Sequence, residues 1–293
     1  DNGQCSMLNG QWSTDNERRI FVAGSMGPTA KSLSLASDMS KPAHRSISFD
    51  EMAEAYREQA EALLEGGADF LLLETCYDAL NTKAALYAIS DINRRFHRQI
   101  PVMVSVTKGL EEGSQMRMSQ VVAQETGREV VVLTGPSHAE EVAIDVPTGL
   151  LAACKDQKMA EFVQDAFMAD NFRIYTSPDP IGAELGAALK NVIALCAGIT
   201  DGLGCGDNTK AMLMTRGLTE VARLCVALGG RKDTMAGLAG MGDLIVTCTS
   251  LNSRNYRAGI LIGQGTPVQE AIESIGAVVE GYYAVDSACE LAA

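Results

Sequence analysis

Lys190 is the residue in this sequence with the clearest chemical potential. It lies in IGAELGAALKNVIALCAGITDGLG, residues 181–204, a run that is otherwise small and apolar. Gly182, Ala183, Gly186, Ala187 and Ala188 let neighbouring elements approach the backbone, and Val192, Ile193 and Leu195 continue an apolar surface, so the run reads as a buried helix. An ammonium group there must find a partner, reach water along its own stem, or give up its proton. Four other groups bear on which of these happens. Thr107-Lys108-Gly109 follows an apolar strand and sets a cation at the carboxyl end of a sheet, where α/β proteins bind ligands; a solvated loop lysine has the same signature. Gly135-Pro136-Ser137-His138 ends another strand and opens a helix, so backbone N–H groups, the Ser137 hydroxyl and the helix dipole suit an anion, while Ser137 serves equally as a plain N-cap. Residues 237–243, GLAGMGD, are glycine-dense but lack the strand–turn–helix setting of a dinucleotide fingerprint, and Asp243 can instead neutralise a buried lysine. Ser253-Arg254-Asn255, with Arg257, offers a fork of donors suited to a phosphate.

The elements that must position these groups follow from periodicity and punctuation. RIFVAGS, ADFLLLET, IPVMVSV and REVVVLTG read as buried strands, the last three recurring about every 30 residues, the length of a strand–helix unit. Between the first two, SFDEMAEAYREQAEALLEGG is a helix with Ser48 and Glu51 at capping-box spacing and Gly66-Gly67 as its stop. Asp78 is placed to cap a second helix whose Ala85, Ile89, Ile92 and Phe96 share one face. Further helices are expected over 114–125, from PSHAEEVA and over 157–167, with PTGLLAAC and FRIYTS as two more strands. After Pro178 and Pro180 the pattern turns helical, with amphipathic runs over 210–228 and 268–275. The first half is therefore expected to be parallel α/β and the rest all-α.

Bulk properties narrow the partners. A net charge of −13 argues against nucleic acid or an acidic membrane surface. The eight cysteines include no pair two residues apart, and with three histidines no metal cluster is expected, so reduced structural thiols are the default. No segment is expected to span a bilayer, because Glu184 and Lys190 interrupt the most apolar helix, and a cytoplasmic location follows from that expectation.

From about Val104 to Gly281 the chain resembles bacterial NAD(P)-dependent glycerol-3-phosphate dehydrogenase. SVTKGLEEG, LTGPSHAEEVA, ELGAALKNVIALCAGITDGLGCGDNTKA, GLAGMGDLIVTCTSLNSRNYR and VVEG carry that resemblance in order. From about Phe21 to Val106, VAGSMGPTAKSLSLASD, SFDEMAEAYREQAEALLEGGADFLLLET and LNTKAAL resemble the homocysteine-binding barrel of cobalamin-dependent methionine synthase. The two resemblances meet within PVMVSVTKGL, so a chimera is expected. Its parts are a loop or disordered lead-in over 1–18, a barrel fragment over 19–104, a remnant of the dehydrogenase nucleotide-binding domain over 105–180, and a helical substrate-binding domain over 181–293.

The dehydrogenase resemblance implies that Lys190 takes the proton from the C2 hydroxyl of glycerol 3-phosphate, giving dihydroxyacetone phosphate, while hydride leaves for NAD(P). It implies that Lys108 touches substrate and cofactor, that Gly135 and Ser137 touch substrate, and that Asp243 is an acidic partner in the same pocket. Ser253, Arg254 and Asn255 match its phosphate clamp, and Ala139, Arg254, Val278 and Glu280 match positions that touch the cofactor. The barrel resemblance implies that Glu74 lies near the homocysteine amino group. Each family's pattern is incomplete. No G-x-G-x-x-G precedes Lys108, so the seat for the pyrophosphate of NAD(P) is missing, and the later barrel strands with three zinc-binding cysteines are missing too. Strands near 20, 69, 100 and 129 are expected to share a sheet that closes into neither a barrel nor a complete nucleotide fold, and its open edges favour homo-oligomers. Three readings follow: an impaired glycerol-3-phosphate dehydrogenase, a homocysteine S-methyltransferase fragment, or a non-catalytic fusion that binds a phosphorylated triol.

Overall fold

The capping box at Ser48 forms as its spacing requires. The Ser48 hydroxyl accepts the Glu51 N–H at 3.3 Å, and the Glu51 carboxylate accepts the Ser48 N–H at 2.9 Å. This computed structural model describes residues 22–27, 29, 31, 33, 46–68, 70–73, 79–95, 103–111 and 113–292. Glu74, the expected cap Asp78, Phe96 and the start of the first strand at Arg19 lie outside them.

The N-terminal unit comprises β1 (Ala23–Met26), α1 (Phe49–Glu65), β2 (Phe70–Leu73) and α2 (Ala79–Arg95). α1 turns Met52, Ala53, Tyr56 and Ala60 onto a core that it shares with Ala85, Ala88, Ile89 and Ile92 of α2 and with Met26. The second unit runs β3 (Met103–Ser105), α3 (Met118–Thr126), β4 (Val130–Thr134), α4 (Ala139–Val142), β5 (Thr148–Ala153), α5 (Gln157–Phe167) and β6 (Phe172–Ser177). α3 starts four residues later than expected because Ser114 and Gln115 form a turn, with the Ser114 hydroxyl bonded to Glu111 and Gln115 at φ 57°.

Two features differ from the expected parallel sheet. β1 pairs with β2 in one parallel ribbon, while the second sheet has the order β3-β4-β5-β6, and among the described residues no strand joins the two. The units meet through side-chain packing instead: Leu73 of β2 and Leu86 of α2 pack on Val122 of α3 and Val130 of β4, and Lys83 pairs with Glu111 at 2.8 Å. In addition, β4 and β5 are antiparallel, with Val132 opposite Ala153. The physical reason is α4, a helix of four residues that is too short to carry the chain back across the sheet, so β5 returns beside β4 in the opposite sense.

The helical part comprises α6 (Pro180–Gly202), α7 (Asp207–Ala227), α8 (Lys232–Met235), a π-helical turn (Leu238–Gly242), α9 (Asp243–Thr249), α10 (Arg254–Gly263), α11 (Val268–Ser274) and α12 (Glu280–Ala292). The protein is thus α/β followed by all-α, as its composition indicates. α6 is the axis. Asp179 caps it, accepting from Gly182 N at 3.0 Å, and binds Arg231 N and the Thr234 hydroxyl at 2.9 and 2.6 Å. Gly198 and Gly202 face Gly259 and Gly263 of α10 so closely that a Cβ on Gly198 would lie 2.1 Å from the Tyr256 carbonyl oxygen. Contrary to expectation, α6 is long and apolar enough by composition to cross a membrane, but 83% of its most apolar window is buried inside the protein. Glu184, expected to interrupt that run, is instead a tie between halves: it accepts from Arg117 at 2.6 Å and from the Ser119 N–H and hydroxyl at 2.7 and 2.6 Å, at the N-terminus of α3.

Gly198→Ala is expected to lower stability by about 1–3 kcal/mol, because α10 has to move away from α6. Guanidinium unfolding checks this, and an unchanged midpoint would show that the close approach is dispensable.

Candidate active site

α6 carries Lys190 into the interior, where 6% of the residue remains exposed. Its position relative to α9 is set by glycine. A Cβ on Gly186 would lie 2.6 Å from the Ala239 carbonyl oxygen, so α6 and the π-helical turn meet backbone to backbone, and Asp243 follows directly. Lys190 Nζ donates to Asp243 Oδ1 at 2.6 Å and to Thr247 Oγ1 at 2.7 Å. Thr247 stands one turn after Asp243 on α9, and its hydroxyl donates to the Asp243 carbonyl at 2.5 Å, which leaves its oxygen free to accept from the lysine.

Lys108, in the loop after β3, reaches the same carboxylate. Its Nζ donates to Asp243 Oδ2 at 3.0 Å, to Oδ1 at 3.2 Å and to the Gly135 carbonyl at 3.0 Å. Gly135 has φ +143°, and a Cβ there would lie 3.1 to 3.3 Å from Leu150 and the Gly149 carbonyl, so the turn that presents its carbonyl favours glycine. The Ser137 hydroxyl donates to the Gly135 carbonyl at 3.2 Å, which brings Lys108, Gly135, Ser137, Lys190 and Asp243 into one cluster. Asp243 is 1% exposed, so one carboxylate serves two ammonium groups away from water. Burial lowers the Lys190 pKa from its ordinary 10.5 to about 8; the neighbouring Lys108 charge acts in the same direction and Asp243 opposes both.

The second cluster stands at the start of α10 and α12. Asn191 Nδ2 donates to Glu280 Oε2 at 2.7 Å, and Arg254 lies 3.7 Å from Glu280 Oε1. Burial pushes the Glu280 carboxyl up against the pull of Arg254, Lys190 and Lys108. Of the expected phosphate clamp, Arg254 keeps an exposed side chain. Ser253 caps α10 by accepting from Tyr256 N at 3.2 Å, and Asn255 Oδ1 accepts the Gly281 N–H at 2.7 Å. Ala139 is the exposed first residue of α4, and Val278 is half-buried just ahead of α12; neither enters the hydrogen-bond set around Asp243. Thr247 and Asn191 were not among the residues singled out from the sequence. The signals were present: a threonine four residues after Asp243, and an asparagine beside Lys190. Among the described residues no group of three His, Cys, Asp or Glu could hold a metal ion.

Two families match the sequence. The family described as NAD-dependent glycerol-3-phosphate dehydrogenase C-terminus matches residues 179–293, and that described as homocysteine S-methyltransferase matches residues 6–184. The chain is 50% identical over 238 residues to glycerol-3-phosphate dehydrogenase [NAD(P)+] of Clostridium perfringens, covering 81% of this chain and 70% of that protein. It is 56% identical over 191 residues to the Desulfitobacterium hafniense enzyme of the same name, covering 65% and 54%. The solved glycerol-3-phosphate dehydrogenase of Coxiella burnetii superposes with a TM-score of 0.66 at 35% identity, over 76% of this chain and 71% of that one. The structure from Dunaliella salina gives 0.69 at 26% identity, over 82% and 45%. A 238-residue match in a chain of 293 shares much of its length with the methyltransferase match. The antiparallel step from β4 to β5 distinguishes them, since a closed barrel of this kind needs parallel strands throughout.

The residues present were also tested against NAD(P). β1 ends at Met26, and the sequence that follows it, GPTAKSLSLASD, carries no G-x-G-x-x-G to receive a pyrophosphate. The sequence therefore lacks the fingerprint for that half of the cofactor.

Lys190→Met isolates the titration of the buried amine. Between pH 8 and 10.5 the unfolded chain binds the Lys190 proton and the folded chain does not, so stability gains with rising pH across this window, and the penalty for the charged form is complete below it. Urea unfolding at several pH values should show this gain in the parent and not in the variant; parallel pH profiles would contradict the depressed pKa.

Proposed function

The chain belongs to the NAD(P)+-dependent glycerol-3-phosphate dehydrogenase family, and through residues 6–184 also to the homocysteine S-methyltransferase family; from that premise we propose that its pocket binds glycerol 3-phosphate and dihydroxyacetone phosphate. The observation that carries this reading is the Asp243 carboxylate shared by Lys108 and Lys190, with the exposed Arg254 guanidinium nearby at the start of α10. In this reading Arg254 forks onto the phosphate, and Lys108 holds a substrate oxygen beside Gly135 and Ser137. Lys190 in its neutral form takes the C2 hydroxyl proton and returns it in the reverse direction. Thr247 and Asp243 fix where its free valence points, and Asn191 holds Glu280 at the start of α12.

NAD(P) is the hydride acceptor of the family. Because the sequence carries no glycine fingerprint for its pyrophosphate, dinucleotide-dependent turnover by this chain is proposed to be strongly reduced, and binding of the phosphorylated triol is what survives. The helical part over 181–293 then acts as the substrate domain on the remnant over 105–180, with 19–104 as the barrel-derived piece. Association through open strand edges and residence in the cytoplasm belong to the same reading. Methyl transfer to homocysteine is the weaker alternative, because the β4–β5 step breaks the parallel order of its barrel.

Glycerol 3-phosphate should raise the melting temperature of the chain, and Arg254→Ala should weaken that binding by about tenfold or more, as expected for a charge-assisted phosphate contact. NADH oxidation with dihydroxyacetone phosphate should be slow. Absence of any protection would remove the substrate reading, and turnover at an ordinary enzyme rate of about 10 s⁻¹ would contradict the missing cofactor seat.

A further inference from the structure

The geometry around Lys190 supports chemistry beyond proton transfer. A lysine ammonium has three N–H donors, and here two are fixed, on Asp243 Oδ1 at 2.6 Å and on Thr247 Oγ1 at 2.7 Å. Both acceptors are held in turn. Thr247 donates to the backbone of Asp243 at 2.5 Å, and Asp243 is fastened by Lys108. When the amine is neutral its two hydrogens keep those bonds, and its lone pair occupies the third tetrahedral direction. Lys108 differs, because its donors are engaged by the Gly135 carbonyl and both Asp243 oxygens, and its charge acts on Lys190 from there. A second cation next to a desolvated lysine is the arrangement that activates an amine for addition to a carbonyl. The two nearby thiols are poor competitors: burial pushes Cys248, adjacent to Thr247, up to about 12, and raises Cys196 on α6 as well.

We propose that Lys190 is also a Schiff-base nucleophile, which condenses with the ketone carbonyl of a phosphorylated hydroxyketone held in this pocket. The proposal rests on the substrate reading above. In the reaction the nitrogen lone pair forms a C–N bond to the carbonyl carbon, and the C=O π pair moves onto oxygen. A proton leaves the nitrogen and reaches that oxygen through Asp243, giving a carbinolamine. The nitrogen lone pair then closes the C=N bond as the C–O bond breaks. The departing hydroxyl takes up a second proton, drawn from solvent, and leaves as water, so that the nitrogen keeps its remaining hydrogen. Neutral amine, ketone and one proton become the protonated imine and water, with no oxidant or reductant consumed. The protonated imine places its positive charge where the ammonium charge stood, against Asp243. The groups that act on this nitrogen are Lys108 from the loop after β3, Asp243 and Thr247 from α9 and Glu280 from α12, with Arg254 of α10 paired to Glu280. The imine should therefore form more readily as the pH rises from 7 to 9, as the amine loses its proton.

Borohydride trapping tests this on the full chain. Dihydroxyacetone phosphate and sodium borohydride are added together, and the reduced secondary amine is located by proteolysis and mass spectrometry. The expected result is one saturable adduct on the Lys190 peptide, at least about tenfold above the exposed Lys158 and Lys232, competed away by glycerol 3-phosphate and absent in Lys190→Arg. An unmodified Lys190 peptide, or labelling no greater than at Lys158 and Lys232, overturns the proposal. Thermal unfolding with dihydroxyacetone phosphate alone separates the two claims. Protection without the adduct removes the Schiff base and leaves the substrate site, whereas neither protection nor adduct removes both.

Discussion

One carboxylate holds the centre of this protein together. Asp243 is almost wholly buried and accepts from two ammonium groups that come from different segments, Lys108 after β3 and Lys190 in the middle of α6. Each charge would be costly alone in that setting, and each is tolerated because the others are there. The balance is incomplete, since two cations meet one anion, and the excess falls on the more buried lysine, whose proton is held loosely. A binding surface for an anion and a weakly basic amine are thus two consequences of the same arrangement.

That arrangement depends on backbone contacts more than on side chains. Gly186 lets the π-helical turn touch α6, which places Asp243 opposite Lys190, and Gly198 with Gly259 draws α10 in, which places Arg254 and Asn255. Asp179 and Glu184 fasten the first turns of α6 to the loop before α8 and to α3. α6 is therefore a buried strut whose apolar surface is used in packing, although its composition alone is that of a membrane-crossing helix.

Much of this was legible in the sequence, for reasons that can be stated locally. The capping box at Ser48 and Glu51, the stop at Gly66-Gly67 and the small-residue run around Lys190 are short-range signals, and the elements formed where they stood. Asp243 could be named as the lysine's neutraliser because a buried cation demands an anion. Strand direction was not legible. Nothing within REVVVLTG or PTGLLAAC says that they run antiparallel, which follows from the shortness of α4, and nothing in the first two strands says that they form their own ribbon. Thr247 and Asn191 escaped notice because their importance comes from what α6 and α9 place beside them. The N-terminal unit joins the rest where Leu73 of β2 and Leu86 of α2 pack on Val122 of α3 and Val130 of β4.

The ionisation of Lys190 is the most direct measure of the account, because it depends on burial, Lys108 and Asp243 together. Carbon-detected NMR titration of the chain labelled at lysine Cε should show one lysine ionising near pH 8, absent in Lys190→Arg and shifted still lower in Asp243→Asn. A Lys190 resonance that titrates near the ordinary 10.5, or that does not respond to loss of the Asp243 charge, would contradict it.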